Sequence, residues 1–305
     1  MQVGFSTVAC HDWPIDRVIA YAEELGYAGI EFRSLGPDAT RFACEPSMTS
    51  TTKTRSTLVE HGVSAIAVAT GIKFDAPIFP PIIGRAFQDH DRPVREARRA
   101  IELASTIGAP FVRVFAYQAH GRESRENAAN RIAERLYLAG AAARHTGVRV
   151  VVENGGSFAT SEAMLDLLER VAHPLVSVAW NAASAHLAGE DPVQGARALG
   201  DKLAMLKVKD VADGQPVMLG EGAVPVERLV RELAGDGFRG PVVFEWDRAW
   251  IPGLAEPQEV LPVAASRLYR WLSARTPRKW APAGVSAAGF DGARVRQQWA
   301  LDSHM

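Results

Sequence analysis

The sequence predicts an α/β protein with one (β/α)8 barrel and a C-terminal extension. Short apolar segments rich in Val, Ile and Phe recur along the chain, and each is followed by an amphipathic segment with helical periodicity. The 305 residues are enough for one such barrel, which takes about 250 residues. An open doubly wound sheet would instead favour a Gly-rich phosphate turn after an early strand, and the sequence has none.

The predicted strands and helices alternate along the whole barrel segment. In chain order, the strands span residues 3–8, 28–33, 63–70, 111–115, 149–153, 175–180, 203–208 and 241–245. The predicted helices span residues 14–25, 47–61, 91–107, 124–146, 160–172, 192–200, 225–235 and 256–274. Thr160 and Ser161 are expected N-caps, and Gly26, Gly108 and Gly147 stand where helices should end.

Two segments fall outside this repeat, so we divide the chain into a barrel over residues 1–276 and a tail over residues 277–305. Residues 71–90, after the third strand, form an apolar, proline-containing insertion that predicts either a lid over the barrel mouth or a packed surface loop. The tail carries three large aromatic residues. It is expected to be disordered or partly docked, with a second subunit of a homodimer as one docking partner.

Composition excludes several classes of partner. The 34 basic and 35 acidic residues nearly balance, which argues against nucleic acid or an anionic membrane recognised through bulk charge. No apolar run of about 18 residues is present, and the N-terminus lacks a signal-peptide pattern. Cys10 and Cys44 are too few for a disulfide framework, so we expect reduced thiols and a cytoplasmic location.

Polar residues at the carboxyl ends of the strands predict a site there, because (β/α)8 barrels carry their active sites at that end. Glu153, Lys207 and Glu245 each interrupt an apolar strand, and a buried ionisable group is costly unless it is paired. We therefore expect these three side chains to converge. Further candidates lie at the same end of the predicted barrel: Asn181, Lys209, His120, His11, Arg33, Arg113 and Trp246.

Several segments resemble the xylose isomerase-like TIM barrel family, the sugar phosphate isomerase/epimerase group. They are GYAGIEFR (26–33), VVVENGG (150–156), AWNAASAHLAGEDP (179–192), LKVKD (206–210), LGEGAVPVERLVREL (219–233) and GPVVFEWDRAW (240–250). The resemblance covers roughly residues 1–275. It implies proton transfer next to a carbonyl on a small polyhydroxylated or keto substrate.

The resemblance also implies a divalent metal held by Glu, Asp, His and Glu. The two glutamates match Glu153 and Glu245, whereas Asn181 stands at the Asp position and Lys207 at the His position. A protonated lysine cannot ligate a metal, but its positive charge can take the metal's place. Glu, Asp and Glu with a divalent cation carry a net charge of −1, and so do Glu153 and Glu245 with protonated Lys207. We expect a metal-independent enzyme without a cofactor, the alternative being Mn, Mg or Zn at this degenerate site.

The predicted roles follow from charge. Lys207 would stabilise the oxygen that becomes negative during proton transfer, and Glu153 and Glu245 would act as the acid/base pair. Because two glutamates sharing one lysine cannot both be neutralised, one is expected to have a raised pKa. A Schiff base at Lys207 is less favoured, since flanking carboxylates should keep the amine protonated.

The substrate-binding candidates have structural alternatives. Arg33 and Arg113 could bind a carboxylate or phosphate, or could pair with Glu31 or a helix residue. His11 and His120 could contact substrate or be exposed loop residues. Trp246, with Trp250 and Phe74, could form an apolar wall over the pocket or belong to the core.

Two other functions remain open. One is a lyase, dehydratase or cyclase of a biosynthetic pathway that uses the same acid/base pair on a bulkier substrate. The other is a barrel that only binds a small molecule; the two retained glutamates disfavour it, because a binding pocket has no need for two carboxylates around a lysine.

Overall fold

Eight parallel strands close into a barrel in the computed structural model, which describes residues 1–35, 41–42, 51–77, 91–119 and 123–273. The barrel strands are β1 (Val3–Ser6), β2 (Gly29–Leu35), β4 (Ser64–Lys73), β5 (Phe111–Phe115), β6 (Arg149–Glu153), β7 (Val176–Asn181), β8 (Leu203–Val208) and β11 (Val242–Phe244). Neighbours in this order pair in parallel, and β11 pairs with β1 to close the ring. The predicted fold class is confirmed.

The helices surround the barrel. Those in the described residues are α1 (Ile15–Glu24), α2 (Thr51–Glu60), α3 (Arg92–Ile107), α4 (Arg125–Ala142), α5 (Ser161–Val171), α6 (Ala182–Leu187), α7 (Pro192–Leu199), α8 (Val226–Asp236) and α9 (Pro257–Ser273). Thr160 caps α5 by accepting from the Ala163 amide, and Gly108 ends α3 in a left-handed conformation (φ 78°). Three short strands lie outside the barrel: β3 (Arg41–Phe42), β9 (Asp210–Ala212) and β10 (Gln215–Val217). None of the described helices is long and apolar enough to cross a membrane.

An apolar layer closes the lower part of the barrel interior. Ile66, Val151, Met205 and Val243 belong to this buried cluster. Ile66 fits because β2 contributes no side chain beside it: a Cβ on Gly29 would lie 2.7 Å from Ile66 Cγ1. Strand side chains alternate between faces, so the next inward layer toward the carboxyl ends holds the charged residues. The charged residues therefore lie on one side of this apolar layer, toward the carboxyl ends of the strands.

Several predictions fall wholly or partly outside the described residues. The insertion predicted at 71–90 begins within β4, which extends through Lys73, and residues 78–90 are not described. The 277–305 tail, Cys44 and His120 are likewise outside the described part of the chain. Cys10 is buried as a free thiol.

Candidate active site

Lys207 lies between two glutamates in the barrel interior. Its Nζ is 2.8 Å from Oε2 of Glu245 and also donates to Oε1 of Glu31. The Lys207 side chain is 1% exposed. The predicted convergence of Glu153, Lys207 and Glu245 is therefore wrong in one member, because Glu31 is the second carboxylate on the lysine.

Strand alternation could have identified Glu31 from the sequence. It lies two residues after Gly29, whose Cα faces the interior beside Ile66, so both positions of β2 point inward. Sequence reasoning considered Glu31 only as an ion-pair partner for Arg33 or Arg113. What it lacked was the position of β2 relative to β8 around the ring.

Glu153 belongs to a second polar group on the neighbouring strands. Its Oε2 lies 3.1 Å from Nε of Arg113 on β5, and its Oε1 accepts a 2.8 Å hydrogen bond from Nδ2 of Asn181 on β7. It is beyond ion-pair distance of Lys207. Two of the three glutamates thus face the site from different strands: Glu153 on β6, and Glu245 three strands further around the ring, just after β11.

Asn181 connects the site to the following helix. Its amide nitrogen donates to Glu153, while its Oδ1 accepts from the Ser184 amide and caps α6. Asn154, which sequence reasoning did not select, brackets the backbone of Asn181 by accepting from its N–H (2.5 Å) and donating to its carbonyl (3.2 Å). These hydrogen bonds hold the backbone and the side chain of Asn181, which in turn positions Oε1 of Glu153.

Both oxygens of Glu245 are held by lysines. Lys209 Nζ lies 3.2 Å from Oε1 of Glu245 and 2.8 Å from Oδ2 of Asp247. Burial alone would raise the pKa of Glu245, but Lys207 and Lys209 outweigh it and hold that pKa well below its ordinary value of 4.5. The sequence predicted a raised pKa for one of the two glutamates that were expected to share Lys207. For Glu245 this prediction is wrong.

Lys207 remains an ammonium in this environment. Burial lowers the pKa of its amine, but the charges of Glu245 and Glu31 more than offset that effect and raise the pKa. An amine must lose its proton before it can attack a carbonyl, so this geometry favours an electrostatic role over a Schiff base.

Arg113 forms an ion pair with Glu153. Besides that contact, its Nη1 donates to the Thr70 carbonyl at 3.0 Å, and its guanidinium lies 4.5 Å from the centre of the Phe115 ring. Burial would lower the pKa of Arg113, yet the three glutamates, Glu153 foremost, raise it. The Arg113 guanidinium therefore balances the charge of Glu153.

Arg33 has no such partner. Its Nη1 donates to the carbonyls of Ser34 (2.6 Å) and Ala69 (3.0 Å), and no carboxylate of the described residues lies within ion-pair distance. The alternative of an Arg33–Glu31 ion pair is therefore wrong. Burial, and then the charge of Arg113, lower the pKa of Arg33 to about 10.

The two tryptophans after β11 differ in exposure: Trp246 is buried, whereas Trp250 is exposed. Trp246 is 4% exposed, stacks beside Phe244 in the core, and donates from Nε1 to the Ala255 carbonyl at 2.9 Å. The prediction that Trp246 binds substrate is contradicted, because its indole is buried against Phe244 and bonded to the Ala255 carbonyl. Trp250 is 50% exposed, and its ring centre lies 5.5 Å from the Arg33 guanidinium.

Of the remaining candidates, the structure describes His11 and Phe74 but not His120. His11 follows the short 3-10 turn after β1 and is half-buried, and its Nδ1 has no hydrogen-bond partner among the described residues. Phe74 is fully buried in the core rather than over the pocket. His120 stays a prediction, since it lies outside the described residues.

A surface groove of about 440 Å³ lies away from this cluster, beside α7 and α8. His186, Asp191 and Arg228 are among the residues that line it. Its charged groups have structural tasks: Asp191 caps α7 and pairs with Arg228, and Glu190 accepts from the Ser161 amide at 2.8 Å. We therefore place the chemistry in the barrel and not in this groove.

Comparison with known proteins identifies the family. The model of the xylose isomerase-like TIM barrel family matches residues 19–270. The chain belongs to this family. A search of curated proteins gave no match.

Solved structures of this fold are similar over nearly the whole chain. The L-ribulose 3-epimerase structure has 16% identity and a TM-score of 0.73 and covers 100% of both chains. The probable 3-DHS dehydratase AsbF of Bacillus anthracis, involved in petrobactin synthesis, has 15% identity and a TM-score of 0.72, over 88% of this chain and 99% of its own. The IolI protein, solved with a zinc atom, has 18% identity and a TM-score of 0.73, over 91% and 100%. At these identities the likeness establishes the fold alone.

The residues of the barrel interior do not fit the divalent metal that the family resemblance implies. Among the residues that the structure describes, no group of three His, Cys, Asp or Glu side chains could hold a metal ion. The Lys207 ammonium is bonded to Glu245, and the Asn181 amide presents a nitrogen, not an oxygen, to Glu153. Each of the two replaced positions therefore offers a donor of protons where a metal needs a donor of electron pairs.

Proposed function

We propose that this protein is an epimerase or isomerase that moves a proton next to the carbonyl of a small polyhydroxylated or keto substrate, without a divalent metal. The observation that carries the proposal is the buried Lys207 ammonium, fixed between Glu31 and Glu245 while Glu153 faces the site from another side. An electrophile between two carboxylates is the minimum arrangement for enolate chemistry.

Lys207 supplies the electrophile. An ammonium has three N–H bonds, and the contacts with Glu31 and Glu245 use two of them. The third is available to a substrate carbonyl oxygen. When a base removes the proton from the adjacent carbon, the electron pair of that C–H bond moves onto this oxygen, and the fixed positive charge stabilises it at no cost of reorganisation.

Glu153 and Glu245 transfer the proton. Glu245, which is ionised, takes the proton from the substrate carbon, and Glu153, which enters the step carrying a proton from solvent, returns that proton from its own side of the enolate. Proton exchange with solvent then restores both groups for the next turnover. Return to the same carbon on the opposite face is epimerisation, and return to the neighbouring carbon after transfer between the oxygens is aldose–ketose isomerisation. Because the reaction is reversible, each glutamate serves as base in one direction and as acid in the other.

Glu31 adds a binding contact. Its Oε2 is buried and accepts no hydrogen bond from the described residues. An unpaired buried acceptor costs about 1–3 kcal/mol, so a donor from the substrate would be stabilising there. A hydroxyl next to the substrate carbonyl is such a donor, which agrees with a polyhydroxylated substrate.

Dehydration is the second candidate. The same enolate can expel a hydroxyl from the next carbon if the second carboxyl group protonates that oxygen instead of a carbon. Two acid/base groups on different sides of the site are compatible with either outcome. The product distinguishes them, since elimination creates a double bond that absorbs in the ultraviolet.

Proton exchange with solvent tests the proposal. The protein is incubated in deuterium oxide with a panel of ketoses, aldoses and keto acids, with and without a chelator, and NMR follows loss of the proton next to the carbonyl. We expect exchange in at least one compound, unchanged by the chelator and abolished in Glu245→Gln. Saturable binding without exchange would instead support a binding-only barrel, and exchange that the chelator abolishes would contradict metal independence.

A further inference from the structure

Arg33 occupies an unusual position for a guanidinium. It lies against the backbone of β4, where a Cβ on Gly71 would come within 3.0 Å of its Nη2, and beneath the exposed Trp250 ring. Its hydrogen bonds go to backbone carbonyls, which carry no net charge. The positive charge is therefore held in place at the barrel mouth without a carboxylate to balance it directly.

Lys73 repeats this arrangement on the next strand. It is the last residue of β4, two positions beyond Gly71, and it is exposed. Its Nζ lies 3.6 Å from the centre of the Tyr117 ring, and no carboxylate of the described residues lies within ion-pair distance. Tyr117 holds a left-handed conformation (φ 78°), a strained backbone of the kind found near functional sites.

The remaining charges of the mouth are already paired with one another. The charged residues in the barrel interior and at its mouth include Glu31, Glu153, Glu245, Asp247, Arg113, Lys207, Lys209, Arg33 and Lys73. Three of these five cations contact the four carboxylates, and the two others face aromatic rings. The two cations without a carboxylate in contact, Arg33 and Lys73, lie on β2 and β4.

We infer that the substrate carries an anionic group, a carboxylate or a phosphate, which Arg33 and Lys73 bind at the mouth while the carbonyl end reaches Lys207. Facing an aromatic ring stabilises a cation weakly and leaves its N–H groups free for an anion. The lowered pKa of Arg33 agrees with this, because an anion would relieve the cost of its burial. The inference rests on the proposed function for the position of the carbonyl, but the anion site can be tested without turnover.

A matched series of open-chain polyols provides the test. Sorbitol is neutral, gluconate carries a carboxylate, and sorbitol 6-phosphate carries a phosphate on the same carbon skeleton. Isothermal titration calorimetry at low ionic strength would compare their dissociation constants for the wild type, Arg33→Gln, Arg33→Lys, Lys73→Met and the control Arg231→Gln. Arg231 pairs with Glu227 on the surface of α8, away from the mouth.

We expect the wild type to bind at least one anion about tenfold more tightly than sorbitol, the scale of one charge-assisted contact. Arg33→Gln and Lys73→Met should each reduce that preference, Arg33→Lys should restore part of it, and Arg231→Gln should leave it intact. The anion with the greater preference identifies the group. Lys73 is exposed, so its variant does not depend on tolerance of a buried change.

Two results would overturn the inference: no preference of the wild type for either anion, including no measurable binding of either, or a preference that survives in both Arg33→Gln and Lys73→Met. The proposed function is judged separately. An anion preference without proton exchange on any compound leaves the anion site standing and removes the enolate chemistry, whereas exchange without a preference does the reverse.

Discussion

Nζ of Lys207 lies 2.8 Å from Oε2 of Glu245, at two positions to which the family resemblance assigns metal ligands. One ligand position thus supplies the positive charge and the other the carboxylate that holds it. The pair is buried, so its charges interact more strongly than they would in water. This relationship supports the proposed chemistry, in which the Lys207 side chain would supply the cation.

Removing the Lys207 charge should lower the free energy of unfolding. Lys207→Met leaves Glu31 and Glu245 buried without their partner, and breaking a buried ion pair in this way costs about 3–5 kcal/mol. Denaturant unfolding would measure the change, with Lys202→Met as a control because that side chain is 51% exposed. A Lys207 variant as stable as the control would show that the glutamates do not need the ammonium.

The contribution of Glu245 to stability should depend on pH in the acidic range. Its pKa is lowered in the folded protein, so the unfolded chain, with the ordinary pKa of 4.5, takes up the proton first as the pH falls. The stabilisation is complete above this value and is lost as the pH drops through the folded pKa. The difference in free energy of unfolding between wild type and Glu245→Gln should therefore shrink below about pH 4.5; a difference independent of pH from 7 to about 3 would contradict the ion pairs.

Asn181 should affect activity and stability separately. Asn181→Ala removes both the cap of α6 and the hydrogen bond to Glu153, and loss of a cap costs about 1 kcal/mol. Asn181→Asp keeps an oxygen for the cap but places a carboxylate against Glu153. We expect proton exchange to fall in both variants, with the alanine variant the less stable of the two at low pH. Full exchange activity in both would remove Asn181 from the positioning of Glu153.

Asp210, next to Lys209, should be structural rather than catalytic. Its carboxylate accepts hydrogen bonds from the backbone amides of Val211, Gly220, Gly222 and Val224 and so fixes the loop after the β9–β10 hairpin. Asp210→Asn should destabilise the protein by about 2 kcal/mol, because an amide nitrogen then faces backbone donors. Asp213→Asn, exposed in the adjoining turn, is the matched control. Equal thermal stability of the two variants would contradict this role.

The barrel itself could be predicted from local patterns. Strands β5, β6 and β8 have the predicted bounds, because strands buried on both faces form short, largely apolar segments that contrast with the helices around them. Helix α6 was missed because its six residues are too few for a helical period to show, and its cap, Asn181, had been assigned only to the site.

Pairing within the site could not be predicted to the same degree. Which side of a strand a residue faces follows from alternation. Glu153, Lys207 and Glu245 were instead selected because each interrupts an apolar strand, and all three are buried. Which carboxylate reaches Lys207 depends instead on the stagger of strands around the ring and on the length of each side chain. For Trp246, alternation would have corrected the prediction. Because its neighbour Glu245 faces the barrel interior, the Trp246 indole is expected to face away from it.

Metal content tests the central claim most directly. Wild type and the double variant Asn181→Asp/Lys207→His are dialysed against Mn²⁺, Mg²⁺ or Zn²⁺, and bound metal is measured by elemental analysis. We predict no stoichiometric metal in the wild type, because Lys207 holds the positive charge, and close to one ion per chain in the double variant, which regains the implied ligand set. One tightly bound ion per chain in the wild type, required for proton exchange, would contradict the account.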